Sequence, residues 1–415
     1  MTQPPSEQPD FETLISDVAS FSELCQEFYR RFQLMQKSLE ELKKEYNDSV
    51  ISACSDPKHL PTIFREVVHS LIDYKFQRYN DFWISSIDES SIPHPFVSIE
   101  ERARRGSSTR FISFINFKGG VGKTTLAANL AAAFSAGNYT STPWKGEMRV
   151  LVVDLDFQGT LSSRCVAEQS LLNEALRHEK TSGNFFINPS DCKFTLKDLE
   201  LPIIELRDES KIVPGDQLID YYDNKYFIYQ LFEKKETRFC FRSWFHQNYV
   251  FENYDLVIFD CPPRKTASSI NALTCSDYVF LPMGTNEFDL EGINRTIAWF
   301  LDFAYNLHLS TAIGGVILNR TSKESNLSKN ERNIVATLNQ VIQETFKGLK
   351  KKEKRPHNAY KKQYGIPEVL DSFIPRRSFK GNSINGLPGE PLIGADWYEG
   401  GYFKRLATEI YRRIY

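Results

Sequence analysis

The stretch Lys118-Gly-Gly-Val-Gly-Lys-Thr-Thr125 concentrates more chemistry than any other part of the sequence. Gly119, Gly120 and Gly122, interrupted only by Val121, let backbone N–H groups curl toward phosphate oxygens, and a helix N-terminus behind them adds partial positive charge. Lys123 has the reach for β- and γ-phosphates, and the Thr124 hydroxyl, with Thr125 next to it, suits a Mg²⁺ ligand. Three carboxylates complement this loop. The runs Val150-Leu-Val-Val and Leu256-Val-Ile-Phe lead directly into Asp154 and Asp260, and Asp156 follows two residues after the first. An acid at the end of a buried parallel strand stands at the crevice where open α/β sheets bind ligands.

These groups need a scaffold of alternating strands and helices. The phosphate-type loop follows FISFIN and precedes the alanine-rich LAANLAAAF. Further short β-branched runs occur at 149–153, 255–259, 277–281 and 312–318, separated by helical stretches. Alternation of this kind predicts βαβ units, hence an α/β fold with a doubly wound, mostly parallel sheet. Upstream the pattern differs. No glycine precedes Gly106, and Phe28, Phe32, Met35, Leu39, Leu42 and Tyr46 share one helical stripe. Pro61 opens a second amphipathic segment through Phe64, Val67, Leu71 and Tyr74. An all-α N-terminal region is expected over 1–105, with the catalytic-type domain over 106–415 and a basic, flexible linker at 102–110. Two packed helices or a dimerising coiled coil both suit the stripe, although it is shorter than a sustained heptad repeat. A helix-turn-helix is opposed by the missing glycine and the acidic balance.

That balance is hidden in the whole-chain figure. The 415 residues carry 51 basic and 53 acidic groups, a formal net charge of −2, which excludes a uniformly basic nucleic-acid binder and a disordered polyelectrolyte. Residues 1–100 hold the acidic excess, so the remainder is mildly basic. Seven cysteines without CxxC spacing fit free thiols in a reducing compartment better than disulfides or a zinc site. The opening MTQPPSEQPD lacks the character of a signal peptide, and no apolar run reaches the length of a membrane span. A soluble cytoplasmic protein is the expectation.

The loop departs from the standard GxxxxGK[ST] pattern: Phe117 occupies the first glycine position, and Lys118 stands beside it. In this the chain resembles the ParA/MinD family of deviant phosphate-loop ATPases. Asp154-Leu-Asp156-Phe-Gln-Gly159 is similar to the family's D-x-D-P-Q-G, with Phe157 in place of proline, and Asp260-Cys-Pro-Pro263 matches its second carboxylate strand. Leu290-Glu-Gly292 and Ile374-Pro-Arg376 continue the likeness in order, which covers about residues 111–415.

The resemblance implies a P-loop NTPase fold and a Mg²⁺-dependent ATPase that forms a homodimer on ATP. Lys123 would act on the phosphates in cis and Lys118 across the dimer, a contribution worth roughly 10³–10⁵ in rate in related phosphoryl-transfer systems. Asp156 would orient the attacking water, Asp260 would hold the metal shell and Asp154 would support it, while Asn319, Arg320 and Pro375 lie where the family grips adenine. ParA-like members bind DNA non-specifically, and Lys350, Lys351, Lys352, Lys354, Arg355, Lys361 and Lys362 form a basic stretch suited to phosphate backbone. Basic runs also serve as solvated loops or as docking sites for acidic partners. The expected function is partition or positioning of a plasmid, chromosomal or other cargo through a ParB-like adaptor that stimulates hydrolysis, with nucleoid association in the ATP state. A MinD-like membrane-associated ATPase is the alternative, through the amphipathic segment Tyr402–Tyr415. That segment equally suits a helix packed on the sheet, since no separate anchor follows it. A signalling ATPase using the N-terminal helices for effector docking is also open; an iron–sulfur carrier would need paired cysteines, which the sequence lacks.

Overall fold

The computed structural model describes residues 87, 98–135, 147–166, 168–203, 210–223, 236–247, 250–322, 326–353, 368–376 and 402–415. The chain divides into two compact units, one of Met1–Trp83 with Ile228–Lys235 and one of Ile84–Phe227 with Glu236–Tyr415. The first lies outside the described residues, as do the N-terminal helices expected from sequence.

Continuous apolar runs make strands that are buried on both faces, and this dictates the architecture of the second unit. The strands are β1 (Arg110–Phe114), β2 (Val150–Asp154), β3 (Leu201–Pro202), β4 (Lys211–Val213), β5 (Leu256–Asp260), β6 (Tyr278–Met283), β7 (Ala312–Thr321) and β8 (Ile374–Pro375). They form one sheet in the order β3-β4-β2-β5-β1-β6-β7-β8, parallel throughout except for the β3–β4 pair. Every residue of β2 and β5 is buried. The doubly wound α/β fold expected from the alternating runs is therefore present; the short β3, β4 and β8 carry too few residues for a periodic signal.

Helices are numbered among the described residues. α1 (Ile99–Arg104) precedes the sheet, α2 (Lys123–Ser135) follows the glycine loop, and α3 (Thr160–Cys165), α4 (Gln169–Arg177) and α5 (Leu196–Leu199) lie between β2 and β3. α6 (Cys240–Gln247) and α7 (Val250–Asn253) precede β5, α8 (Ala267–Cys275) and α9 (Glu287–Asn306) flank β6, and α10 (Lys329–Glu353) and α11 (Tyr402–Ile414) come last. On one face, Leu126, Leu130 and Phe134 of α2 pack with Phe403, Leu406, Ile410 and Ile414 of α11 over Ile112, Ile258 and Ile317. The apolar stripe of the C-terminal helix is thus spent on the sheet, as its packing-helix reading required. Elsewhere Phe185, Phe241, Trp244 and Phe245 form an aromatic cluster that reaches Phe111 and Phe259.

The linker reading for 102–110 needs correction. Arg102 is fully buried in α1 and pairs with Asp277, while its Nη1 donates to the Thr109 carbonyl at 2.7 Å. Asp277 in turn accepts the Phe111 N–H at 2.8 Å. Counting basic residues suggested a solvated tether; a buried acid at the start of β6 turns one of them into an anchor.

Candidate functional site: a glycine loop facing paired carboxylates

The site forms because β1, β2 and β5 end together. β5 lies between the other two, so Asp154 and Asp260 are direct neighbours in register, and Phe114 at the end of β1 is opposite Asp260. The chain leaving β1 is fixed by Asn116, whose Nδ2 donates to the Pro282 carbonyl on β6 and whose Oδ1 accepts the Lys118 N–H, both at 2.8 Å. Asn116 was not anticipated; its only signal in the sequence is its place between strand and glycine loop.

Beyond it the loop is shaped by backbone geometry. Gly120 and Gly122 have φ of +73° and +92°, a region that favours glycine. A Cβ on Gly122 would fall 2.0 Å from Asn319 Nδ2, which instead donates to the Val121 carbonyl at 2.8 Å. Over Gly119 and Gly120 an added Cβ would meet nothing within 4 Å, so the loop's outer side is open to a ligand.

Lys123 opens α2 and is buried, its Nζ donating to the carbonyls of Asn116 at 3.0 Å and Lys118 at 3.3 Å. Burial lowers its pKa, while the charges of Asp260, Cys261 and Asp156 oppose the shift. Thr124 and Thr125 are half-buried at the start of the same helix. Lys118 turns the other way and forms an ion pair with Asp289 of α9. Asp289 is itself buried, and Gly284 makes room for it: a Cβ there would sit 2.2 Å from Asp289 Oδ2.

The two strand-end carboxylates differ sharply. Asp154 is saturated: Oδ2 accepts from the Ser162 N–H at 2.9 Å and hydroxyl at 2.6 Å, and Oδ1 accepts from the Asp156 N–H at 3.1 Å. Asp260 is equally buried, yet neither of its oxygens has a hydrogen-bond partner. The Thr124 hydroxyl lies alongside and favours the charged form, but it does not complete a bond within normal geometry. Burial raises the pKa of both acids; at Asp260 the Asp154 charge raises it further, whereas hydrogen bonds to Ser162 and Asp156 restrain Asp154. Asp156 sits beyond the strand on a half-buried turn, where its Oδ1 accepts the Gln158 N–H at 3.1 Å.

An orphaned, buried carboxylate beside a threonine hydroxyl and an open glycine loop suits a divalent cation that arrives with a polyphosphate. No group of three or more His, Cys, Asp or Glu residues poised for a metal occurs among the described residues.

A cleft of about 380 Å³ continues from the loop, lined in part by Lys118, Gly120, Asn286, Asp289, Arg320 and Arg376. Gly119 and Val121 share this lining. Asn319 and Pro375 are buried beside it, because β8 pairs with the end of β7. Arg320 has a φ of +63°, with its N–H held by Asn319 Oδ1 at 2.9 Å. The structure therefore gathers Lys118 to Thr125, Asp154, Asp156, Asp260, Asn319, Arg320 and Pro375 around one end of the sheet. Lys350, Lys351 and Lys352 continue the backbone of α10, whereas Lys354, Arg355, Lys361 and Lys362 lie outside the described residues. Ser162, Asp289 and Gly284 join the site without any local sequence pattern that announced them.

Comparison with known proteins agrees with this fold. A family model described as an AAA domain matches residues 109–309. The chain is 26% identical over 220 residues to the sporulation initiation inhibitor protein Soj of Bacillus subtilis, covering 52% of this chain and 75% of that protein. It is 25% identical over 232 residues to the chromosome partitioning protein ParA of Myxococcus xanthus, covering 55% and 71% respectively. Among solved structures, pNOB8 ParA bound to nonspecific DNA superposes with a TM-score of 0.50 at 19% identity, covering 74% of this chain and 98% of that one, a likeness of fold.

Proposed function

We propose that this chain is a P-loop ATPase of the ParA/MinD type that binds ATP with Mg²⁺, dimerises in that state, holds DNA non-specifically and positions a cargo through an adaptor that stimulates hydrolysis. The observation that carries the nucleotide site is the unpartnered Asp260 carboxylate, buried beside Lys123 and Thr124 at the mouth of the glycine loop. The pNOB8 ParA structure is bound to nonspecific DNA, and chromosome partitioning is the role named for the M. xanthus relative.

Each residue then has a physical task. Backbone N–H groups from Gly119 to Thr125 donate to the phosphate oxygens, and Lys123 exchanges its two backbone carbonyl partners for phosphate oxygens. Thr124 and Asp260 hold Mg²⁺, with Asp154 fixing the strand end through Ser162 and the Asp156 N–H. Bound with the nucleotide, the cation neutralises charge on the transferred phosphoryl group. Asp156 orients the attacking water. Lys118 leaves Asp289 to reach the partner's phosphates, so hydrolysis is tied to dimerisation. Asn319, Arg320 and Pro375 border the base. The segment on which a MinD-like membrane role would rely, α11, has its apolar stripe buried.

The test measures nucleotide affinity, ATP turnover and co-sedimentation with DNA or liposomes. Lys123→Ala is expected to abolish ATP binding. Asp156→Ala is expected to form an ATP-bound dimer that turns over poorly and stays on DNA. Normal turnover by the Asp156 variant, or retention on liposomes but not on DNA, refutes the assignment.

A further inference from the structure

The loop leaving Asp260 carries two adjacent cations, and each rests on an aromatic ring beside a different functional residue. The Arg264 guanidinium lies 5.1 Å from the centroid of Phe157, the neighbour of Asp156, and 3.8 Å from the Asp220 carboxylate. The Lys265 ammonium lies 5.0 Å from the centroid of Phe117, the neighbour of Lys118, and 5.0 Å from that of Trp299. Phe117 meets Trp299 edge-on at 5.0 Å, and Trp299 stacks on Phe303, so this ring is backed by α9.

Both ends of the connecting loop are fixed. Asp260 holds one end in the sheet. At the other, Thr266 caps α8, and Asp223 accepts the Ser268 N–H at 2.7 Å and its hydroxyl at 3.1 Å. Pro262 and Pro263 restrict the chain between them. Phe157, in contrast, is 36% exposed, so no core packing decides where its ring sits. It also occupies the position where the resembling family has proline, a residue that stiffens a turn by locking φ.

We propose that Arg264 and Lys265 form a positioning bracket: Arg264 holds Phe157, and through it the turn bearing Asp156, while Lys265 holds Phe117 at the base of the loop bearing Lys118. The bracket does by side-chain contact what proline at 157 would do by backbone restriction. Asp156 and Lys118 matter here as hydrolytic residues, so the consequence for turnover rests on the function proposed above.

The full-length protein tests this with Arg264→Gln, Phe157→Pro and the double variant, each measured by amide hydrogen exchange without nucleotide and by kcat and KM for ATP. Proline at 157 leaves intact the turn's donors, the N–H groups of Gln158 and Gly159. Arg264→Gln is expected to raise exchange across 156–160 and to lower kcat about two- to fivefold at unchanged KM, the effect of an exposed cation–π contact. In the Phe157→Pro background the same substitution is expected to change neither quantity. Lys265→Met should raise exchange across 116–119, and Lys265→Arg should restore it.

Unchanged exchange in Arg264→Gln overturns the bracket. So does an equal loss of kcat in both backgrounds, or a raised KM, which would make Arg264 a nucleotide contact. If the wild-type protein does not hydrolyse ATP, the functional reading fails while the exchange measurements still decide the bracket.

Discussion

Asp154 and Asp260 end adjacent strands after equivalent apolar runs, yet only one has its hydrogen bonds made. The difference assigns their tasks, because a buried carboxylate without partners is costly until a cation arrives. Glycine at 122 is a second residue whose place is dictated by its surroundings. Its left-handed backbone and the 2.0 Å approach of Asn319 Nδ2 leave no room for a methyl group. Gly122→Ala is expected to displace Asn319 from the Val121 carbonyl and weaken nucleotide binding roughly tenfold or more, since strain of this kind costs about 1–3 kcal/mol. Titration with a fluorescent ATP analogue measures it, and an unchanged Kd would show that the loop re-forms around the methyl.

At the level of elements, α8 depends on a carboxylate from a distant segment. Asp223 is buried and accepts the Ser268 N–H and hydroxyl at the helix start; burial pushes its pKa up to about 7, against the restraint of those hydrogen bonds. A carboxyl whose folded pKa is raised binds more protons folded than unfolded between pH 4 and 7, so stability falls as pH rises through that window. The shift corresponds to a loss of up to roughly 4 kcal/mol. Asp223→Asn keeps an acceptor for Ser268 without the charge, and thermal melts at pH 5 and pH 8 are expected to differ less in the variant than in the wild type. α11 likewise owes its place to contacts with other elements. Phe403, Leu406, Ile410 and Ile414 are buried against α2 and the sheet, which makes the helix part of the core.

For the molecule as a whole, two charge arrangements matter. The buried Arg102–Asp277 pair joins the segment before β1 to the start of β6, and burial raises the Asp277 pKa while Arg102 opposes the shift. Arg102→Met leaves that acid buried without its counter-ion and is expected to cost about 3–5 kcal/mol in urea unfolding. A cost below 1 kcal/mol would mean that water reaches Asp277. The second arrangement is the basic stretch from Lys350 onward, within a chain of net charge −2. If it contacts DNA, reversing Lys350, Lys351 and Lys352 to Glu abolishes ATP-dependent retention on DNA at low salt, with ATP binding intact. Retention equal to wild type would place the DNA surface elsewhere.

Much of the nucleotide-binding end was legible in the chain because its signals are local. Glycines at fixed offsets before Lys123 and Thr124, and apolar runs ending in Asp154 and Asp260, are short-range consequences of backbone sterics and strand burial. The same runs announced the five longer strands, whereas β3, β4 and β8 were too short to show a period. What local pattern could not decide was which distant residues meet. That Asp289 holds Lys118 and that Arg102 is buried against Asp277 rather than solvated depend on strand order and on helices brought together from distant segments; Ser162 reaches Asp154 from the helix that directly follows β2, through a turn that no sequence period marks. The sequence by itself determined the chemistry available at the strand ends. Only the folded structure decided which carboxylate was left without a partner, because saturation is a property of neighbours in space, and the chain beyond β2 turns back onto Asp154 whereas the chain beyond β5 leaves Asp260 without one.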